Sequence, residues 1–114
     1  MRRAAEASAA GDPAGEEYLD AVAKETLRIR PVVFDVGRVL KEPVDVAGYR
    51  LPAGITVIPA IGLVHARNDI YEDAEEFRPE RMIDADLSPT TWLPFGGGNR
   101  RCLGANLALA EMRI

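Results

Sequence analysis

The apolar positions of residues 16–30 follow a helical period. Tyr18, Val22 and Ile29 fall on one face, and polar side chains occupy the opposite face. Pro31 should end this helix, because the residue that precedes a proline is displaced from the helical region of backbone space. The pattern therefore predicts an amphipathic helix that carries one apolar stripe.

The first 15 residues have no apolar period. They are rich in Ala, Gly and charged side chains, which predicts a frayed, flexible lead-in. At its end, Asp12 can serve as the N-cap of a helix whose first position is Pro13. The sequence thus divides into a flexible lead-in, residues 1–15, and an ordered part, residues 16–114.

Residues 32–51 are typical of short strands. Residues 44–46 and 49–51 alternate apolar and polar positions on either side of a two-residue turn, which predicts an antiparallel hairpin. Residues 55–58 form another short apolar run that a proline stops, and residues 60–66 are suited to a brief helix.

Residues 67–94 show turns, acidic side chains and prolines but no sustained period. An irregular stretch of this length inside a compact domain usually has a function or packs against another element. Residues 105–112 are strongly helical and mostly apolar, and the pattern reaches Ile114 without a cap, which predicts a truncated C-terminal helix. The fold class expected from these elements is α+β.

Composition limits the classes of protein. A chain of 114 residues, 47% hydrophobic and 28% charged, can form one domain with a modest core. Its net charge of −4, from 14 basic and 18 acidic side chains, argues against nucleic-acid binding. No apolar run approaches the roughly 20 residues of a membrane-spanning helix. The single cysteine, Cys102, excludes an internal disulfide and is typical of a reducing cytoplasm, so we expect a cytoplasmic protein.

The richest segment chemically is residues 95–104, FGGGNRRCLG. Three consecutive glycines allow the backbone to adopt left-handed or close-approach conformations. Cys102 lies just before a predicted helix, where the helix dipole and two neighbouring arginines favour a thiolate. A cysteine that was only a small buried apolar residue would not explain the glycines and the cations around it.

Three chemistries could use this segment. A phosphate cradle would use the glycines, but the Lys-Ser/Thr ending of a P-loop is missing. A cysteine nucleophile needs a histidine base, and the one histidine, His65, is distant in sequence. Axial ligation of haem iron by a cysteine thiolate is the third chemistry. It would use the glycines for close backbone approach and the arginines for the propionates.

Three motifs occur in a specific order along the chain. Residues 25–28, ETLR, form a Glu-x-x-Arg pair on the first predicted helix, and residues 77–82 read FRPERM. Residues 95–104 match Phe-x-x-Gly-x-Arg-x-Cys-x-Gly at every fixed position. Together these motifs resemble the K helix, the Pro-Glu-Arg-Phe segment and the haem loop of the cytochrome P450 family. Met82 replaces the aromatic residue that is commoner at the end of the second motif.

The resemblance implies haem b, iron protoporphyrin IX, as the cofactor and Cys102 as its metal ligand. The implied cofactor-binding residues are Phe95, Gly98, Arg100, Cys102, Gly104, Arg38 and His65. Arg38 and Arg100 would reach the haem propionates, and Phe95 would shield the sulfur from water. His65 matches a position where many members place a histidine against haem, although Ala66 interrupts the pattern that follows it.

The resemblance also implies a structural triad of Glu25, Arg28 and Arg81. Glu25 and Arg28 are three positions apart, so they share a helix face at the margin of the apolar stripe. A half-desolvated carboxylate there requires cationic partners. The alternative is an exposed helix ion pair, which would stabilise the fold by about 0.3–0.5 kcal/mol.

The function implied by the resemblance is that of a haem-thiolate monooxygenase. Such an enzyme inserts one oxygen atom of O₂ into a small organic substrate, with electrons from a redox partner, a ferredoxin or a flavoprotein reductase. Family members are several times longer, and the oxygen-activating Ala/Gly-Gly-x-Asp/Glu-Thr-Thr motif does not occur here. We therefore expect a fragment of the mainly α family fold, in which residues 16–114 are part of the C-terminal haem-binding region. The alternative is a catalytically inactive truncated remnant with at most weak haem binding.

Overall fold

The computed structural model describes residues 2–113. Met1, the first residue of the predicted lead-in, and Ile114, the last residue of the predicted haem-binding part, lie outside the described residues. The α-helices are α1 (Arg2–Ala9), α2 (Pro13–Ile29), α3 (Ile61–His65) and α4 (Ala105–Glu111). The strands are β1 (Arg38–Val39), β2 (Val44–Val46), β3 (Tyr49–Leu51) and β4 (Thr56–Val57), and 3₁₀ helices span Pro79–Met82 and Gly98–Arg100. The predicted α+β class is confirmed.

The central element is α2, and its ends follow from its sequence. Asp12 is the N-cap, and its side chain accepts a hydrogen bond of 3.1 Å from the backbone N–H of Ala14. Pro13 occupies the first helical position, where its missing N–H is not needed. The helix predicted over residues 16–30 is therefore confirmed, but it begins earlier, at Pro13.

The lead-in contains a helix that the sequence pattern did not predict, α1, which spans Arg2–Ala9. This segment is rich in alanine, the residue with the highest helix propensity. An alanine-rich helix has no stripe of large apolar side chains, so a search for an apolar period does not detect it. Arg2 Nε also donates to Glu6 Oε1 at 3.2 Å, a helix-favouring pair four positions apart.

The four strands form two separate antiparallel pairs. In the first pair, β2 and β3, Val46 lies opposite Tyr49, and Ala47 and Gly48 both adopt positive φ angles. This is the backbone of a two-residue hairpin turn, so the predicted hairpin is confirmed. In the second pair, Arg38 of β1 lies opposite Val57 of β4. The pairing of β1 with β4 therefore fixes the position of Arg38 beside the last strand of the chain.

The core lies between α2 and the irregular segment. Its buried cluster consists of Ala21, Tyr71, Ala74 and Met82, and Trp92 packs against it. Residues 67–94 therefore pack against α2, and the 3₁₀ helix Pro79–Met82 forms part of that contact. Within the described residues, no helix is both long and apolar enough to cross a membrane.

Candidate functional site

A buried ion pair lies on α2. Arg28 donates from Nε to Glu25 Oε2 and from Nη2 to Glu25 Oε1, each at 2.8 Å, and the two side chains are 1% and 0% exposed. This bidentate geometry matches the planar guanidinium to the planar carboxylate. The spacing of three residues brings both groups to the same helix face.

The irregular segment completes this cluster. Arg81 donates from Nε to Glu25 Oε1 at 3.1 Å, and the backbone N–H of Arg78 donates to the same oxygen at 3.0 Å. Arg81 is 13% exposed, and its Nη1 donates to the carbonyl of Glu72 at 2.7 Å. The structure therefore brings Glu25, Arg28 and Arg81 together, as the sequence predicts.

The remaining donors of Arg28 bind backbone carbonyls. Its Nη1 donates to the carbonyls of His65 and Ala74, at 2.7 and 2.8 Å, and its Nη2 donates to that of Glu76 at 3.2 Å. The guanidinium also lies 5.0 Å from the centroid of the Tyr71 ring, within cation–π range. One side chain thus joins α2 to α3 and to the segment after it.

A second feature is an apolar cavity of about 410 Å³ at the cysteine loop. Four of the predicted cofactor-binding residues, Arg38, Phe95, Arg100 and Cys102, line it together with Gly96. Its apolar walls are Leu27, Val32, Val33, Val36, Ile61, Pro94 and Ala108. The sequence does not predict these walls. The apolar run after Pro31 was the available signal, but it has no period that distinguishes a cavity wall from a strand.

The two arginines at the cavity are exposed. Arg38 donates from Nη1 to the neighbouring carbonyl of Gly37 at 3.0 Å. In the part of the chain that the structure describes, neither Arg38 nor Arg100 forms a salt bridge. Two cations without carboxylate partners therefore border an apolar space, an arrangement suited to a ligand with an apolar body and anionic groups at its edge.

The cysteine loop closes on itself. The backbone N–H of Cys102 donates to the carbonyl of Phe95 at 2.9 Å, which joins the ends of the turn. Gly96 and Gly98 have φ angles of 70° and 61°, in the left-handed region that favours glycine. The Cys102 side chain is exposed, and α4 begins three residues further on, at Ala105, with Gly104 as its N-cap.

Two predicted glycines do not line the cavity. Gly98 contributes through its backbone, because its positive φ begins the 3₁₀ turn that leads to the cysteine. A Cβ on Gly104 would lie 3.9 Å from Cys102 Sγ, an ordinary contact distance. Phe95 packs edge-on against Trp92 with 6.0 Å between ring centroids, which ties the loop to the core.

The haem contact predicted for His65 is corrected by the structure. His65 is 2% exposed, and it does not line the cavity that contains Cys102. Its Nδ1 lies 3.0 Å from the carbonyl of Arg28, and its Nε2 accepts a hydrogen bond of 2.9 Å from the backbone N–H of Leu93. Both ring nitrogens are therefore occupied by backbone groups. Desolvation is the main cause that lowers the pKa of His65.

Comparison with known proteins identifies the family. Residues 15–114 match the family model described as cytochrome P450. This chain belongs to the cytochrome P450 family. Cytochromes P450 are haem-thiolate monooxygenases, so membership places the chain in a family of haem-dependent oxidoreductases.

Three relatives illustrate the similarity. Cytochrome P450 135B1 of Mycobacterium tuberculosis, a provisionally named protein, is 76% identical over 112 residues, which cover 98% of this chain and 24% of that protein. Cytochrome P450 3A29 of Sus scrofa is 39% identical over 101 residues, covering 86% of this chain and 20% of the relative. The solved structure of retinoic acid-bound cyanobacterial CYP120A1 superposes with a TM-score of 0.80 at 38% identity.

That superposition covers 91% of this chain and 25% of the CYP120A1 chain. The fold is therefore that of part of a cytochrome P450, as the sequence predicts. The chain spans about a quarter of the length of the P450 135B1 relative. The matched quarter contains the Glu25–Arg28–Arg81 cluster and the cysteine loop.

The cavity residues fit the haem group that the family implies. Cys102 supplies a sulfur donor of the kind that ligates haem iron in this family, and Arg38 and Arg100 supply two cations without carboxylate partners among the described residues. The walls between them are aliphatic. A flat apolar macrocycle with two carboxylates is complementary to this set of groups.

Proposed function

We propose that this chain supplies the cysteine-bearing side of the haem site of a monooxygenase. The observation that carries the proposal is the meeting of Arg38 with Arg100 and Cys102 around one apolar cavity. Arg38 comes from β1, far from the cysteine loop in sequence, so local geometry does not explain why they border the same space.

Each cavity residue has a proposed role. Cys102 is the iron ligand, and Arg38 and Arg100 bind the propionates of haem b by charge-assisted hydrogen bonds. The contact of Phe95 with Trp92 restricts its movement, and in the assembled haem site Phe95 would shield the sulfur from water. Haem, when bound, supplies the iron centre at which O₂ is activated for insertion of one oxygen atom into a substrate.

The buried cluster has a structural role in this proposal. Glu25, Arg28 and Arg81 fasten the irregular segment to α2. Among the described residues, their charged atoms form no hydrogen bond with a residue that lines the cavity. The proposed substrate is a small organic molecule, and the proposed electron donor is a ferredoxin or a flavoprotein reductase. A cytoplasmic location is proposed from the single, unpaired cysteine.

The test is a chimera with the P450 135B1 relative. The 112-residue segment of that protein that aligns with this chain at 76% identity is replaced by this chain, and the ferrous carbon-monoxide complex is recorded. The chimera is expected to show the strongly red-shifted Soret band of thiolate-ligated haem. Cys102→Ser should abolish this band, whereas a Cys102→Ser chimera that keeps it would contradict the assignment.

A further inference from the structure

The three residues that precede the cysteine loop are each fastened to the core. We call residues 91–93 the anchor segment. Three hydrogen bonds hold it: Tyr71 Oη to the carbonyl of Thr91 at 3.0 Å, Trp92 Nε1 to the carbonyl of Lys24 at 3.3 Å, and the N–H of Leu93 to His65 Nε2 at 2.9 Å. Such consecutive attachment leaves the anchor segment little freedom to move relative to α2.

His65 is the member of this set that joins the anchor segment to the buried cluster. The carbonyl of Arg28 lies in the last turn of α2, where carbonyls lack partners within the helix, and it can only accept a hydrogen bond. His65 Nδ1 must therefore carry the proton, which leaves Nε2 as the acceptor for Leu93. In return, Arg28 Nη1 donates to the carbonyl of His65 at 2.7 Å.

Leu93 continues this connection into the loop. Its N–H donates to His65, and its carbonyl accepts a hydrogen bond of 2.9 Å from the N–H of Gly96. The next carbonyl but one, that of Phe95, accepts from the N–H of Cys102 at 2.9 Å. A short series of hydrogen bonds thus runs from Arg28 through His65 and Leu93 to the backbone of the cysteine.

We propose that His65, in its neutral Nδ1–H form, is a positioning residue for the Cys102 loop. It transmits the position of the Glu25–Arg28 cluster to the loop through Leu93 and makes no contact with the cavity itself. The consequence for haem ligation rests on the proposed function. The positioning concerns this chain's own hydrogen bonds, and it can be tested without haem.

Two variants of His65 test the hydrogen bonds of the two ring nitrogens separately. In His65→Gln the side-chain oxygen can reach the place of Nε2 and accept from Leu93. In His65→Asn the shorter side chain can replace Nδ1 as a donor to Arg28, but it cannot reach Leu93. A role in packing alone would make the smaller Asn and the larger Gln differ in overall stability, without selecting the loop amides.

The measurement is amide hydrogen exchange on the 114-residue chain. We expect the amides of Leu93, Gly96 and Cys102 to exchange at least tenfold faster in His65→Asn than in His65→Gln. The amide of Ala21, in the middle of α2, is the control and should exchange equally in both variants. Equal exchange of the loop amides in the two variants would overturn the proposal.

The wild-type chain gives a second test if the variants do not fold. Nitrogen NMR of the His65 ring at neutral pH should show a protonated Nδ1 and a hydrogen-bond coupling between Nε2 and the amide of Leu93. A ring protonated at Nε2 would overturn the proposal. Neither test involves haem, so loss of the thiolate band in the chimera and loss of loop protection report on separate questions.

Discussion

Arg81 Nε lies 3.1 Å from Glu25 Oε1, although the two residues are 56 positions apart in sequence. Glu25 is completely buried, so its charge is stabilised by protein groups rather than by water. Arg28 binds it from the same helix, whereas Arg81 binds it from the irregular segment. This second contact makes the carboxylate a junction between two parts of the fold.

The first prediction concerns the removal of this carboxylate charge. Glu25→Gln keeps the size of the side chain but leaves Arg28 buried without a counter-charge. Losing one partner of a buried pair typically lowers the free energy of unfolding by about 3–5 kcal/mol. The measurement is the urea unfolding midpoint.

The control for this substitution is the exposed pair of Asp45 and Arg50, whose side chains are both 66% exposed. Asp45→Asn should leave the midpoint almost unchanged, because exposed pairs stabilise proteins little. Similar losses in the two variants would show that burial does not set the strength of the Glu25 contacts.

The second prediction compares lysine at the two arginine positions. Arg28 binds both carboxylate oxygens and three backbone carbonyls, which a single ammonium group cannot reproduce. Arg28→Lys should therefore lower the thermal midpoint much more than Arg81→Lys, because Arg81 is partly exposed and binds Glu25 through one atom. Equal midpoints for the two variants would contradict this difference.

The sequence predicts the features that depend on neighbours along the chain. The N-cap at Asp12, the hairpin turn at Ala47 and Gly48, and the shared face of Glu25 and Arg28 all follow from spacings of a few residues. The contact of Arg81 with Glu25 is not local in sequence, and it was predicted from the resemblance to the family.

Features that depend on tertiary packing could not be predicted from the sequence. His65 has no local signal that distinguishes a buried histidine bound to two backbone groups from one at the edge of a ligand, because both its partners are distant in sequence. The pairing of β1 with β4 involves only two residues on each strand, too few for alternation to be recognised. The cavity walls share no period because they come from separate segments of the sequence.

The third prediction concerns the pH dependence of stability. Desolvation lowers the pKa of His65 in the folded chain, and the charge of Arg28 lowers it further, while the hydrogen bond to the Arg28 carbonyl acts in the opposite direction. In the unfolded chain the pKa of histidine is about 6.5. As the pH falls below about 6.5, the unfolded chain therefore binds a proton that the folded chain does not, and the free energy of unfolding decreases.

This contribution is fully present above the unfolded pKa, and it is lost as the pH falls towards the folded pKa. The charged group beside the ring is Arg28 from α2, whose charge is paired with that of Glu25, and the Tyr71 ring packs edge-on against the His65 ring. The check is urea unfolding between pH 5 and 7, about the range in which histidine titrates. Wild type should lose more stability than His65→Gln, and parallel profiles would contradict the prediction.

The fourth prediction uses two glycines with similar backbone conformations. Gly96, in the cysteine loop, and Gly54, in the turn before β4, have φ angles of 70° and 87°, and a Cβ on either would meet nothing within 4 Å. Alanine at each position should therefore lower stability by about 1–2 kcal/mol through backbone strain alone. Only Gly96→Ala should also reduce haem binding by the chimera with P450 135B1. Equal haem binding by the two variants would contradict a role for the Gly96 conformation in the site.

The last prediction is that the 114-residue chain by itself has no substrate-dependent monooxygenase turnover. The cavity at Cys102 is bordered by side chains that remain open to solvent, and Val32 in its wall is 88% exposed. Leu103 and Leu107, beside the cysteine and on α4, are fully exposed and 65% exposed, so much of the apolar surface around the site has no protein partner within the described residues. Water therefore reaches the sulfur side of the site, and a substrate held there would not be enclosed.

Consumption of NAD(P)H with a supplied reductase should be the same with and without candidate organic substrates, and the same in Cys102→Ser. Substrate-dependent consumption that disappears in Cys102→Ser would contradict the prediction, because it would show that these residues alone enclose a working site.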